Sequence, residues 1–287
     1  MGANMEVRPE IVISARQGEL YPFLAEMFRF RELFVFLVAK NIKVQYAQTS
    51  LGFGWMLLRP MVNLAVLVLV FGALARIPSD GYPYPLFALS GLLPWLYFAG
   101  VMGRSSGSLI SNAALITKVY FPRIYLPASE VVTGLVEFAA TLVIFFAISF
   151  FGYHHPPQAA LLWLPVPLLL LLVTATAVAL WMSALSISYR DVRQIAGNLV
   201  QVLMYATPVV WPLSLLSKHI DAATPALINC YSYYPLVGVL EGFRHVLLGT
   251  PEMPWTLLAH GAVTAIVLLV TGLLFFRRHE RQFADLS

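Results

Sequence analysis

Few residues of this sequence could carry chemistry. The stretch "GRSSG", Gly103 to Gly107, matches the G-x-S-x-G pattern of a serine nucleophile, which needs a strand–turn–helix setting and a histidine base. The six histidines fall on other predicted segments, so these small residues are predicted to allow close helix packing instead. The stretch "HERQF" lacks the second histidine of a zinc-binding helix, and no G-x-x-x-x-G-K-[ST] loop occurs. The sequence therefore predicts neither a metal site nor an ATP site of its own.

The composition predicts an all-α membrane protein. Hydrophobic residues make up 59% of the 287 residues and charged residues 11%, and the mean hydropathy is +0.77. One soluble core cannot hide that much apolar surface. A helix needs about 20 apolar residues to cross roughly 30 Å of hydrocarbon. Six predicted spans meet that length: Leu57 to Ile77, Leu86 to Gly107, Ala128 to Tyr153, Leu161 to Ile187, Ile195 to Leu216 and Trp255 to Phe276.

The Lys and Arg residues predict the orientation. With six spans, all of the 18 Lys and Arg residues except Arg76, Lys218 and Arg244 fall on the side that holds both termini. Positively charged loops remain in the cytoplasm, so both termini are predicted to be cytoplasmic. The same loops account for the pI near 9.2 without nucleic acid as a partner. The charged N-terminal segment does not fit a cleavable signal peptide, and the single cysteine, Cys230, predicts no internal disulfide.

Three regions are predicted along the chain: a cytoplasmic tail at 1–25, an amphipathic interface helix at 26–50 and a six-span membrane domain at 51–287. In the helix one face is charged and another is apolar, which is typical of a helix lying in the membrane interface. The charged set is Arg29, Glu32, Lys40 and Lys43, and the apolar set is Phe30, Leu33, Phe34, Leu37 and Val38. A core helix of a soluble domain is the alternative interpretation.

The segment from Ser217 to Pro254 is predicted to form short helices that are re-entrant or lie at the membrane surface. Its apolar stretch contains Pro235, Gly238, Gly242 and Gly249, which are predicted to interrupt it. Within it, the i, i+3 spacing of Glu241 and Arg244 predicts that the two charges meet on one helix face.

Glu137 is the most informative single charge. It lies about ten residues past Pro127, hence ~15 Å along a helix and close to mid-membrane, with Glu130 on the same face. An ionisable group at that depth must face protein or water. Two interpretations remain open: a structural hydrogen bond to a neighbouring helix, or a direct role in substrate binding or proton transfer.

Aromatic residues gather toward the predicted outer leaflet and outer loop. An interfacial belt explains most of them. Aromatic faces also stack on sugar rings without demanding one sequence, which makes some of these residues candidates to line a pore. The candidates are Trp95, Tyr97, Phe98, Tyr205, Trp211, Tyr231 and Tyr233.

Four stretches together resemble the permease subunits of type-2 ABC exporters for lipid-linked polysaccharides, the O-antigen, capsule and teichoic-acid exporter family. They are "YAQTSLGFGWMLLRPM", "ITKVYFPRIYLPAS", "SISYRDVRQI" and "YYPLVGVLEGFRHVLLG", and the resemblance runs from about Glu26 to the end of the chain. The chain departs from the family at Tyr234, where Asn is common, and at Arg59, where Gln or Trp is common.

The resemblance implies a permease of the bacterial inner membrane that dimerises with a second copy of itself. Two separate nucleotide-binding subunits would carry ATP and Mg, the substrate would be an undecaprenyl-pyrophosphate-linked glycan, O-antigen above all, and this chain would be no enzyme. It also implies a bend near Gly52 and Gly54 between the interface helix and the first span.

Roles for individual residues follow from the same resemblance. Coupling to the ATPase is expected at Lys118, Tyr120, Phe121, Pro122, Arg123, Arg190 and Asp191, with Tyr120 and Phe121 exposed to a partner groove. Contact with lipid headgroups or a pyrophosphate is expected at Lys40, Lys43 and Arg59. A periplasmic gate is expected at Tyr234, Pro235, Glu241 and Arg244.

Three rival functions remain open at this point. The first is a type-2 exporter of another substrate, such as teichoic acid, capsule, a drug or a lipid. The second is a membrane enzyme with Ser105 as its nucleophile, and the third is a secondary transporter that uses Glu137 as a proton site.

Overall fold

The structure, a computed structural model, describes residues 28–47, 49–189, 191–219 and 225–280, and these residues contain helices but no strand. The predicted tail at 1–25 and Arg190 lie outside the described residues. The α-helices are α1 (Arg31–Tyr46), α2 (Gly54–Leu67), α3 (Tyr84–Ser105), α4 (Ser108–Ser111), α5 (Ala113–Lys118), α6 (Tyr125–Ala147), α7 (Pro165–Ser188), α8 (Val192–Ala206), α9 (Ser214–His219), α10 (Pro225–Ser232), α11 (Pro235–Leu248) and α12 (Trp255–His279). Short π-helical stretches extend α2 over Val68–Leu74 and α6 over Ile148–Gly152, and a 3-10 helix, Ala159–Trp163, precedes α7.

Five of the six predicted spans are confirmed as helices that are long and apolar enough to cross a membrane. Among the described residues these helices cover Gly54–Leu74, Tyr84–Ser105, Tyr125–Gly152, Ala159–Ser188 and Trp255–His279.

The predicted span from Ile195 to Leu216 is not confirmed. Its helix, α8, has 15 residues, which gives a length of roughly 22 Å, short of the hydrocarbon thickness. Thr207 leaves the helical region with φ −96° and ψ 142°, because the following Pro208 disfavours helical backbone at the residue before it.

Helix α3 is the centre of the bundle, because it contacts α6, α7, α8 and α11. Most of its side chains are buried, including Leu89, Leu92 and Trp95. Lipid tails are as apolar as these side chains, so within a membrane it is close van der Waals packing of the buried surface that holds the described helices together.

Helix α11 lies inside this bundle, packed on α3, α7 and α12. The prediction that Gly238 and Gly242 interrupt the apolar stretch is wrong, since helix α11 continues through both glycines. A Cβ at Gly238 would lie 2.6 Å from the Leu257 carbonyl oxygen, so this glycine lets α11 and α12 approach closely. The helix ends at Gly249, which adopts φ +76°, the left-handed conformation that favours glycine at a helix C-terminus.

Helix α1 packs along α6, and its predicted division into one charged and one apolar face is not confirmed. Leu37 is buried in a cluster with Tyr125 and Phe276, as its apolar face predicts. However, the polar side chains of Lys40 and Asn41 also bond to the bundle. Apolar side chains remain exposed on the other side: Val35, Phe36 and Val44.

The connection from α1 to α2 contains the predicted bend. Gly52 has φ +51°, a conformation that side-chain-bearing residues rarely adopt. Tyr46 at the end of α1 packs against Phe53, with ring centroids 5.1 Å apart, so the connection is held against the helix it follows.

Candidate functional site

A cluster of two carboxylates and one guanidinium joins α3 to α6. The Nε of Arg104 donates to the Oε2 of Glu130 at 3.2 Å, and its Nη1 donates to the Oε2 of Glu137 at 3.0 Å. Glu130 and Glu137 lie two helical turns apart on the same face of α6, so one guanidinium reaches both. This arrangement provides Glu137 with the charged partner that an intramembrane carboxylate requires.

The second oxygen of each carboxylate accepts hydrogen bonds from side chains of α1. Asn41 donates to the Oε1 of Glu130 at 2.9 Å and to the hydroxyl of Ser129 at 3.0 Å. Gln45 donates to the Oε1 of Glu137 at 2.5 Å, and the Tyr46 hydroxyl donates to the same atom at 3.2 Å. The C-terminal half of α1 is therefore bound through side chains that are themselves positioned by Arg104.

The phenol of Tyr46 remains a hydrogen-bond donor at physiological pH. Burial, and after it the nearby charge of Glu137, raise the pKa of Tyr46 above its ordinary value. Lys40 adds a further polar contact one turn before Gln45, donating to the Oδ1 of Asn112 at 2.5 Å.

Two glycines make room for the guanidinium. A Cβ at Gly100 would lie 3.1 Å from the Nη1 of Arg104, and a Cβ at Gly134 would lie 3.0 Å from its Nη2. Any side chain at these positions would crowd the guanidinium or shift one of the two helices. Gly100 is one turn before Arg104 on α3, and Gly134 lies between the two glutamates on α6.

A cavity of about 230 Å³ opens beside Glu137, between α2, α3 and α6. Arg59 and Trp55 line it from α2, Leu96 lines it from α3 and Thr141 from α6. Arg59 is mostly exposed, and its Nη1 lies 3.8 Å from the Oε1 of Glu137. This long, solvent-facing ion pair contributes little to stability.

Sequence reasoning missed Arg104 as the partner of Glu137. It counted this arginine only among the positive charges of a cytoplasmic loop, whereas the residue lies in the last turn of α3. A signal was available: an intramembrane glutamate needs a basic partner, and glycines recur where Arg104 must fit, at Gly100 and Gly134. The ion pairing favours the structural interpretation of Glu137.

The predicted coupling loop is only partly exposed. Tyr120 is 60% exposed, whereas Phe121 is 4% exposed and packs with Leu37 and Tyr125. The expectation that Phe121 is free to dock a partner is therefore wrong, because the start of α6 and α1 already cover it. Arg123 donates to the backbone carbonyl of Glu280.

The other residues of the predicted coupling set are placed as follows. Lys118 is exposed at the end of α5, and Pro122 is buried next to Phe121. Asp191 is the exposed N-cap residue of α8. Lys43, from the predicted headgroup set, is exposed on α1.

The predicted pair of Glu241 and Arg244 is confirmed, at 2.5 Å between Oε1 and Nη1. Arg244 is 2% exposed. Its Nη2 also donates to the backbone carbonyls of Pro208, Val209 and Trp211. The guanidinium thus connects α11 to the irregular segment that follows α8. The i, i+3 spacing of Glu241 and Arg244 does not predict this connection.

Three of the candidate pore aromatics are inside the bundle. Trp95, Tyr97 and Phe98 are buried in the core, and Tyr97 donates to the carbonyl of Val131 on α6. These three residues cannot line a surface between two copies of the chain, because neighbouring helices of the same chain cover them.

The other four candidates lie near the end of α8 and the start of α11. Trp211 stacks on Tyr231 with ring centroids 6.3 Å apart, and Tyr231 donates to the carbonyl of Ala206 at 2.7 Å. Burial raises the pKa of the Tyr231 phenol, so this bond persists at neutral pH. Tyr233 stacks on His260, and Tyr205 is exposed.

Tyr234 and Pro235, from the predicted gate, join α10 to α11. The Tyr234 hydroxyl lies 3.2 Å from the hydroxyl of Thr207, and Pro235 is buried as the first residue of α11. Through Tyr234, the predicted gate thus contacts the end of α8, next to the irregular segment that Arg244 binds.

Helix α8 exposes a row of polar side chains. Gln194, Asn198, Gln201 and Tyr205 are spaced by four, three and four residues, so they share one face, and all four are exposed. The opposite face, centred on Ala196, packs on the bundle.

The segment 192–214, which contains α8, runs along the whole of α3. A Cβ at Gly107 would lie 3.6 Å from the Nε of Arg193, and a Cβ at Gly91 would lie 3.0 Å from the carbonyl of Val209. At the opposite end, Tyr84 donates to the carbonyl of Val210 at 3.1 Å and Ser214 donates to Asp80 at 2.7 Å. Residues 192–214 thus extend from one end of a membrane-length helix to the other.

The serine of the "GRSSG" stretch is not arranged for catalysis. Ser105 is fully buried, and its hydroxyl has no hydrogen-bond partner within the described residues. No histidine of the described part is therefore positioned to act as its base.

Comparison with known proteins identifies the family. Residues 32–248 match the ABC-2 type transporter family. The chain is 30% identical over 262 residues to the O-antigen export system permease protein RfbA of Myxococcus xanthus, covering 91% of this chain and 97% of that protein. It is 25% identical to a protein of the same name from Klebsiella pneumoniae, covering 89% and 95%. It is 23% identical to the polysialic acid transport protein KpsM of Escherichia coli, covering 85% and 92%. The family match spans most of the chain, and the chain therefore belongs to the ABC-2 transporter membrane family.

Proposed function

We propose that this chain is the transmembrane subunit of an ATP-driven exporter that moves an undecaprenyl-pyrophosphate-linked polysaccharide, O-antigen above all, across the bacterial inner membrane. It works as a homodimer with two separate ATPase subunits, and both of its termini are cytoplasmic. The names of its relatives support the substrate class, and the family supports the separate ATPase.

The polar face of α8 is the observation that carries this proposal. The segment 192–214 lies alongside α3, a helix long enough to cross the hydrocarbon. Amide side chains exposed to lipid would lose hydrogen bonds to water, so Gln194, Asn198 and Gln201 are stable only beside water or a polar partner. A polysaccharide pathway provides both, because hydroxyl groups of sugars bond to amides and to water alike.

The proposal places the pathway between two copies of the chain. Within one copy the opposite face of α8 is already packed, and α2 also exposes an apolar surface with Leu58, Met61 and Val62. Two copies that face each other through α2 and α8 would cover the apolar side chains and leave the polar row of α8 facing inward.

The test combines export with water accessibility. Cys230 is exposed and is first replaced by Ser, and a single cysteine is then placed at Asn198, at Gln201 or, as a control, at Val270. Val270 is an exposed apolar residue of α12 and is expected to face lipid. With the ATPase subunit co-expressed, a membrane-impermeant maleimide should label positions 198 and 201 but not 270.

Export is measured in the same cells as surface polysaccharide. Asn198→Leu and Gln201→Leu should reduce export severalfold, whereas Val270→Leu should not. Equal labelling of all three positions, together with normal export by Asn198→Leu, would remove α8 from the pathway and contradict the proposal.

A further inference from the structure

Helix α1 is bound to the bundle by two contacts of different chemistry. Its middle is held by apolar packing, because Leu37 is buried and Phe34 lies against Tyr125 with ring centroids 5.1 Å apart. Its C-terminal half is held by hydrogen bonds from Asn41 and Gln45 to the two glutamates of α6. Apolar contacts have no substitute in water, whereas hydrogen bonds to carboxylates exchange readily with water.

The polar contact depends on Arg104 although, within the described residues, its guanidinium bonds to the two glutamates of α6 and not to α1. The guanidinium binds the Oε2 atoms of Glu130 and Glu137 and so leaves both Oε1 atoms directed to Asn41 and Gln45. Rotation of either carboxylate away from Arg104 would withdraw an acceptor from α1.

The cluster also has unused hydrogen-bonding capacity. Within the described residues, the Nη2 of Arg104 and the Oε1 of Gln45 are buried without a hydrogen-bond partner. One is a donor and the other an acceptor, and both side chains bond to Glu137. A buried polar network that is only partly satisfied is less firmly fixed than a complete one, because the unpaired atoms gain when the network rearranges.

We propose that Arg104, Glu130 and Glu137 form a latch that holds the C-terminal half of α1, and that α1 pivots about Leu37 when the latch opens. Arg104 is a positioning residue in this latch, since it acts through the two glutamates. Because α1 ends at Tyr46 and α2 begins at Gly54, opening the latch moves the start of α2 and the Arg59 side of the cavity. That consequence for export rests on the proposed function, whereas the latch itself does not.

Distance measurements between spin labels test the latch on the full-length chain in lipid nanodiscs, without substrate or ATPase. In the Cys230→Ser background, one label is placed at Leu169 on α7 and the second on α1. The α1 position is either Val44, near the latch, or Val35, before the pivot; all three residues are exposed. Gln45→Ala and Arg104→Gln remove one part of the latch each, Arg104→Lys keeps the charge, and Glu32→Gln on the exposed side of α1 is the matched control.

The latch predicts a change at one label position only. Gln45→Ala and Arg104→Gln should shift or broaden the distance distribution measured with the label at Val44 and leave the one measured with the label at Val35 unchanged. Arg104→Lys should change the Val44 distribution less than Arg104→Gln does. Glu32→Gln should change neither. If Arg104→Gln does not fold, an Asn41→Ala, Gln45→Ala double variant decides instead, because it removes both side-chain amides from the latch and leaves the ion pairs of Arg104 intact.

Two results would overturn the latch. An unchanged Val44 distribution in Arg104→Gln, or in an Asn41→Ala, Gln45→Ala double variant, would show that the polar contact does not hold α1. Equal broadening at Val44 and Val35 would show that the whole helix detaches, without a pivot at Leu37. Normal export in cells by a variant whose Val44 distribution is shifted would instead remove the consequence for export, which rests on the proposed function, and leave the latch standing.

Discussion

The guanidinium of Arg244 lies over the ring of Phe87, 4.0 Å from its centroid, and so joins α11 to α3. The same guanidinium bonds to Glu241 and to three carbonyls after α8. A cation on an aromatic face, shielded from water, is more strongly bound than one at an exposed site. The expected gate residue is thus also a structural connection between three elements.

Arg244→Gln should strongly destabilise the protein. It leaves Glu241 without its partner and the three carbonyls without their charged donor, and breaking a buried ion pair costs ~3 to 5 kcal/mol. Arg244→Lys should cost less, since it keeps the charge but loses the planar fork that reaches several acceptors. Thermal unfolding in detergent measures both, with Arg278→Gln, at an exposed arginine of α12, as the control.

An exchange of the two charges should not restore stability. In the Glu241→Arg, Arg244→Glu double variant, a carboxylate would face the carbonyl oxygens of Pro208, Val209 and Trp211, which offer it no hydrogen-bond donor. Recovery of the original unfolding temperature by the double variant would show that the ion pair alone matters.

Phe121→Ala and Tyr120→Ala should have different effects although the residues are adjacent. Phe121 is buried against Leu37 and Tyr125, so its truncation should cost ~3 to 5 kcal/mol of stability. Tyr120 is exposed, so its truncation should cost much less stability than that of Phe121 and should weaken binding of the ATPase subunit, by about 1 to 3 kcal/mol if it is an interface anchor.

Thermal unfolding and co-purification with the ATPase subunit separate these two effects. Phe150→Ala removes an exposed aromatic residue at the other end of α6 and should change neither measurement. Normal co-purification of Tyr120→Ala would show that Tyr120 does not anchor the ATPase subunit.

Hydropathy predicted the parts of this fold that depend on composition alone. The five confirmed spans are apolar around most of their circumference, so a window average finds them whatever they pack against. The segment containing α8 also passed that average, but Thr207 and Pro208 end its helix, and the row from Gln194 to Tyr205 is visible only when the spacing of polar residues is examined.

Tertiary contacts decided the rest. The sequence shows that Trp95 and Tyr97 are aromatic residues within a span, but only the packing of α6 and α11 on α3 shows that they are buried. The partner of Glu137 depends on the relative register of α3 and α6, which single-sequence periodicity does not fix. Identification of the family, in contrast, needed only motifs in order along the chain.

Gly238→Ala should destabilise the contact between α11 and α12. The new Cβ would meet the Leu257 carbonyl at 2.6 Å, so a helix backbone must move, and overpacking of this kind costs ~1 to 3 kcal/mol. Gly103→Ala is the matched control, because a Cβ there meets nothing within 4 Å and alanine favours helix by about 0.5 to 1 kcal/mol. Unfolding temperatures should therefore move in opposite directions; a fall in both would show that α3 needs Gly103 for a contact outside this chain.

Topology reporters should establish whether residues 192–214 cross the membrane despite the short helix. The contacts of Arg193 near Gly107 and of Ser214 with Asp80 place the two ends of this segment at opposite ends of α3. If it crosses, a reporter after Thr250 lies on the same side as one after Gln158, in the periplasm, and reporters after Asn112 and Arg193 lie in the cytoplasm. Alkaline phosphatase and green fluorescent protein fusions at each position report the two sides independently, since each is active on one side only. A cytoplasmic signal after Thr250, with a periplasmic signal retained after Gln158, would leave five crossings and place α8 on the membrane surface, where its polar face would meet water without any pathway.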